Sequence, residues 1–139
     1  MKPKPLTLGL LLLSVMGFVA GYVLSNVYSF GICVVNDVSC HLTFERLGES
    51  LFYGMGALAL VFGGLLFVPK AFSAWWKFAI WFVPLALVIF VTAPEPQGWV
   101  SPIPAPQVIF QWVSGLYVLV SFVLISLNVK KKTQISSLR

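Results

Sequence analysis

A chain of 139 residues that is 59% hydrophobic and only 9% charged is long enough for one compact unit but carries more apolar surface than a soluble fold of that size can cover. The excess points to a lipid bilayer, and the length of each apolar run decides between helices and barrel strands. A spanning helix takes about 20 apolar residues, whereas a barrel strand takes about 10 with alternating character.

Four runs are of helical length and none alternates, which predicts an all-α membrane protein with four transmembrane helices in an up-down antiparallel bundle. The first run, residues 6–30, holds no ionisable side chain. It would rise roughly 37 Å, more than the roughly 30 Å of a hydrocarbon core, so it spans with tilt or overhang. Lys2 and Lys4 ahead of it, with Ala20 and Gly21 as small residues, also fit a cleavable signal segment. The run continues well past the usual signal core of about 7–15 residues, so a retained span is expected.

The second span is placed at residues 50–68, stopped by Pro69 and Lys70, and the third at residues 75–93, opening with Trp75 and Trp76. Lys77 near its start can snorkel to the headgroups. Pro84 is expected to kink this span, which is otherwise almost wholly apolar and reads as lipid-facing. The fourth span, residues 108–129, is closed by Lys130, Lys131 and Lys132, read as a stop-transfer anchor at the head of a basic tail over residues 130–139. Between the spans lie outer loops at 31–49 and 94–107 and a tight inner loop at 69–74. Pro94, Pro96, Pro102, Pro104 and Pro106 should stiffen the second outer loop into an extended lid. The whole reads as a single four-helix transmembrane domain.

Basic residues set the orientation, because segments rich in Lys and Arg stay cytoplasmic. Eight of the nine fall at the two ends or in the 69–77 region, while Arg46 and all four acids, Asp37, Glu45, Glu49 and Glu95, fall on the other side. The net +5 thus divides into +8 inside and −3 outside. Both termini are expected in the cytoplasm, with the protein a multi-pass component of the plasma (cell inner) membrane. The charge needs no nucleic-acid partner to explain it.

Cys33 and Cys40 share the first outer loop, an oxidising face in a bacterial or archaeal plasma membrane, and are expected to form a disulfide. Redox catalysis would call for a closer Cys-x-x-Cys pair with a second pair or a quinone site. His41, Glu45 and Glu49 stand at i, i+4 and i+8, so a helix would line them along one face. They could bind a divalent metal or pass protons, but a single His with Arg46 beside it reads better as a solvated polar collar.

Within the spans no Asp, Glu, His or Arg occurs, and an ion-coupled transporter characteristically keeps a carboxylate there. Packing chemistry is richer. Gly17, Gly21, Ser25 and Ser29 recur every four residues in the first span, and Gly56, Ala59 and Gly63 repeat the pattern in the second, making these two the expected close pair. Gln111, Ser114, Ser121 and Asn128 form a stripe on the fourth span with Val118 and Ile125. Amides and hydroxyls need partners in hydrocarbon, so the stripe should face protein, either within the chain or as a docking face for another subunit. Trp75, Trp76, Tyr53, Trp99 and Trp112 read as headgroup-level anchors.

No catalytic constellation and no cofactor site is found in the sequence. The function expected is an accessory or structural subunit, or small scaffold, of a membrane complex, with other membrane subunits or self-association as partners. The alternative is a passive or facilitative channel or transporter acting as an oligomer.

Overall fold

A computed structural model describes the backbone of residues 3–34, 37–93 and 105–137 and the side chains of 5–34, 37–93 and 105–129. Four α-helices follow one another: α1 (Pro3–Ser25), α2 (Val38–Phe67), α3 (Phe72–Thr92) and α4 (Pro106–Ser137), with a 3₁₀ turn at Pro69–Ala71. All four are long and apolar enough to cross a membrane, and no strand occurs among the described residues. Pro94, Pro96, Trp99, Pro102 and Pro104, the core of the expected stiff lid, lie outside the described residues, as do the side chains of Lys130, Lys131 and Lys132 and all of Arg139.

Helix boundaries differ from the apolar runs where capping chemistry intervenes. The α1 helix stops at Ser25, and residues 26–31 turn tightly instead of extending the span to Phe30. Gly31 takes φ 65°, a left-handed conformation that a side chain rarely adopts, and Ile32 N–H closes the turn on the Val27 carbonyl at 2.9 Å. The α2 helix begins at Val38, ahead of the span expected from residue 50, so residues 38–49 of the expected first outer segment are helical. Asp37 is its N-cap: the carboxylate accepts from Cys40 N–H at 3.0 Å and from the Ser39 hydroxyl at 2.8 Å. At the other end, Pro69–Ala71 winds one tight turn that runs straight into α3, with no open inner loop. The α3 helix continues through Pro84, which faces outward and denies an N–H to the Ile80 carbonyl. The α4 helix carries on past Val129 to Ser137.

Residue pairings give the helix directions. Positions 17, 21 and 25 of α1 meet 55, 52 and 48 of α2, so these two are antiparallel. On α3, Trp75 packs on Phe62, Phe90 approaches Gly54 and Arg46 reaches Ala93, an antiparallel run against α2. Phe90 against Phe110 and Phe82 against Tyr117 make α3 antiparallel to α4. The interior is built in two blocks. One joins Val61, Phe62 and Leu65 of α2 to Ala71, Trp75, Ala79, Tyr117 and Ile125; the other, at the opposite end, joins Phe90, Ala93 and Phe110. Trp75 is a departure from the anchor reading, being only 2% exposed with its ring edge-on to Phe62 at 5.2 Å. Its neighbour Trp76 points outward, as successive helix positions turn by about 100°.

Outside these blocks the surface is apolar. Leu12, Leu13 and Met16 of α1, Trp81, Leu87 and Val91 of α3, and Trp112 and Leu119 of α4 are all exposed. So much apolar surface facing outward is what lipid contact requires.

Candidate functional site

At the α1–α2 turn, Cys33 and Cys40 form a disulfide with their Cα atoms 6.0 Å apart, tying the exit of α1 to the first turn of α2. Hydrogen bonds from Cys40 N–H and the Ser39 hydroxyl hold the Asp37 carboxyl below the usual aspartate range. One turn on, His41 Nε2 lies 3.2 Å from Glu45 Oε2 and the imidazole packs against the Tyr28 ring at 4.5 Å. Glu49 shares their helix face without completing a site. Among the described residues no three His, Cys, Asp or Glu side chains converge as metal ligands would.

The α1–α2 seam is where backbones come closest. A Cβ on Gly21 would strike the backbone of Leu51 and Phe52, coming within 2.8 Å of the Phe52 α-carbon. One on Gly48 would strike the backbone of Leu24 and Ser25. Gly17 faces the flexible Met55 side chain at 2.7 Å, and Gly56 faces the Phe18 ring at 3.0 Å. Gly63 has open space around it, and Ala59 is half-buried. Ser25 bonds its hydroxyl back to Gly21 O at 2.7 Å, while Ser29 lies beyond the end of α1 and is exposed. Gly48 is the member that the spacing of small residues does not reveal, because it stands among charged residues ahead of the apolar run. Thr7 and Ser14, equally hidden in the pattern, are buried on the inward side of α1, and Ser14 donates to the Leu10 and Leu11 carbonyls.

On α4, Ser114, Ser121 and Ile125 are buried and Val118 is half-buried. Gln111 Nε2 donates to the Tyr53 hydroxyl at 2.8 Å and Gln107 Nε2 to the same oxygen at 3.3 Å, bridging α4 to α2. Tyr117 sits between the serines, its hydroxyl beside the Trp75 indole and the Ser121 hydroxyl but without a well-formed hydrogen bond to either. Asn128 is exposed and bonds back to Leu124 O at 2.8 Å. The upper part of the stripe therefore faces α2 and α3, and its last member does not.

Between the two interior blocks α3 stands away from α2 and leaves a cleft of about 590 Å³, floored by Val113, Ser114 and Tyr117 of α4. Its α2 wall runs from Leu42 to Leu58 and its α3 wall from Phe82 to Val91. The walls are almost entirely aliphatic and aromatic. Thr43 and Ser50 turn their hydroxyls back to their own helix, each bonding a carbonyl at 2.9 Å. Arg46 lies at the mouth, where its guanidinium donates to the Val91 carbonyl at 3.4 Å and to the Ala93 carbonyl. These are carbonyls of the last turn of α3, the negative end of its dipole, so the arginine both caps that helix and holds it across from α2. The acids of α2 are on another face: neither Glu45 nor Glu49 lines the cleft, and Arg46 is the one charged side chain that does among the described residues.

No protein-family model, no curated protein and no solved structure matches the chain.

Proposed function

We propose that this small multi-pass membrane protein is an accessory or structural subunit of a membrane complex. What supports this reading is how its reactive groups are spent. The cysteines are joined to each other, His41 is paired with Glu45, and Gln111 and Gln107 hold Tyr53. These groups, of the kind that a catalyst or ion carrier would present to a substrate, are here fastened to the protein itself. The proposal includes residence in a plasma membrane with both termini cytoplasmic, which rests on the asymmetry of the basic residues.

The test is purification of the tagged protein from its native membrane in a gentle detergent, with mass spectrometry of what accompanies it. A stoichiometric membrane partner is the expected result. A clean homo-oligomer that conducts solute after reconstitution would overturn the proposal in favour of a channel or facilitative transporter.

A further inference from the structure

We infer that the cleft between α2 and α3 holds one phospholipid, with its phosphate against Arg46 and one acyl chain laid between the helices. The inference is independent of the partner proposed above.

Shape selects the occupant first. The α2 wall from Leu42 to Leu58 spans sixteen helical steps, about 24 Å at 1.5 Å each. Both ends of the cleft are pinned, by Trp75 on Phe62 at one end and by Arg46 on the Ala93 carbonyl at the other. A rigid helix from a partner or from a second copy of the chain cannot lie along its full length between those pins, whereas a flexible hydrocarbon chain can enter from the side and extend along it. Chemistry agrees, because the lining is aliphatic and aromatic apart from Arg46, the Thr43 and Ser50 hydroxyls, which bond back to their own helix, and the Ser114 and Tyr117 hydroxyls on the floor.

Depth and charge then select the headgroup. From Arg46 to Leu58 is twelve steps, about 18 Å, close to the roughly 15 Å depth of one leaflet's hydrocarbon. Arg46 stands at the level where α3 ends, one turn ahead of the apolar run that starts near Ser50. A guanidinium is suited to phosphate by its planar fork of donors, and among the described residues no carboxylate lines the cleft to repel one. The side of the cleft is open, so a lipid enters from the leaflet on the side of the α2 N-terminus.

The experiment is native mass spectrometry of the full chain titrated with palmitoyl-oleoyl phosphatidylglycerol, and separately with the diacylglycerol of the same chains, which lacks the phosphate. One phosphatidylglycerol per chain is expected, bound at least about tenfold more tightly than the diacylglycerol, the preference that a single charge-assisted hydrogen bond supplies. Arg46→Gln should abolish that preference while Arg46→Lys retains part of it. Because Arg46 also holds the end of α3, a second pair of variants decides independently. Ala86→Phe fills the cleft and should lower binding of both lipids, whereas Val88→Phe adds the same ring to the exposed face of α3 and should change nothing. Equal lipid retention by these two variants, or a statistical ladder of adducts as bulk lipid gives, would overturn the inference. So would a single retained mass belonging to detergent or to a second chain.

Discussion

Replacing glycines one at a time by alanine should produce effects of opposite sign along the same two helices. Any Gly→Ala change inside a helix gains about 1 kcal/mol of propensity, provided the new methyl meets nothing. At Gly63 and Gly9 nothing lies within 4 Å of the added Cβ, so these variants should be more stable by up to that amount. At Gly21 and Gly48 the methyl meets main-chain atoms of the facing helix, which cannot swing aside as a side chain does. Overpacking of this kind costs about 1–3 kcal/mol, leaving a net loss of up to about 2 kcal/mol after the propensity gain. Gly17 is intermediate, since the atom in the way is the end of Met55. The separation between Gly63→Ala and Gly21→Ala is then about 1–3 kcal/mol, roughly a fivefold to hundredfold change in the folded-to-unfolded ratio. Equilibrium unfolding in mixed micelles, or the fraction surviving heat by size-exclusion chromatography, would resolve it. If all of these variants shifted alike, the close approach of α1 and α2 would be refuted.

Two further outcomes concern the α1–α2 turn. Cys33 and Cys40 should resist alkylation until a reductant is added, and loss of the cross-link should cost about 2.5 kcal/mol for a loop of this size in the chain-entropy model, read as a lower unfolding midpoint. The second is a pH effect at the α2 cap. Because the folded protein holds Asp37 below its unfolded value, the carboxylate stabilises the helix start at pH values above about 4. That contribution is lost as pH falls through the depressed folded value, so the Cys40 amide resonance should titrate with a midpoint below that of free aspartate. Asp37→Asn should leave the amide without this transition; an unchanged titration would refute the cap.

Hydropathy alone is enough to find four helices, because a bilayer demands a length of apolar chain that little else in a sequence imitates. It is poor at locating their ends. The α2 helix starts at Val38, ahead of the span expected at residues 50–68, since a membrane span is defined by what lipid tolerates and a helix by where its first N–H groups find acceptors. Asp37 ahead of Val38 and Ser39 is a readable capping signal, yet hydropathy absorbs it into a loop. Gly17 and Gly21 are visible by their spacing, whereas Gly48 is hidden by the polar residues around it. Trp75 and Trp76 look alike as neighbours at the end of an apolar run, and only the packing of Phe62 separates the buried ring from the exposed one. Arg46 reads in the sequence against the nearby acids. Its carbonyl partners come from residues some 45 positions later, a meeting that no local pattern announces. The cleft is less legible still, because it arises from the divergence of two helices and not from any residue in either.

The length of α2 has one more consequence. Its 30 residues give a rod of about 45 Å, roughly half as long again as a hydrocarbon core is thick. The first turns of that rod, closed at the tip by a cross-link and an aspartate cap, stand clear of the bilayer with their backbone amides already bonded within the helix. A protease needs an extended stretch of chain, and residues 38–49 offer none. What projects on that side is a stiff post, so a push on its tip is transmitted along the helix to the arginine at the mouth of the cleft.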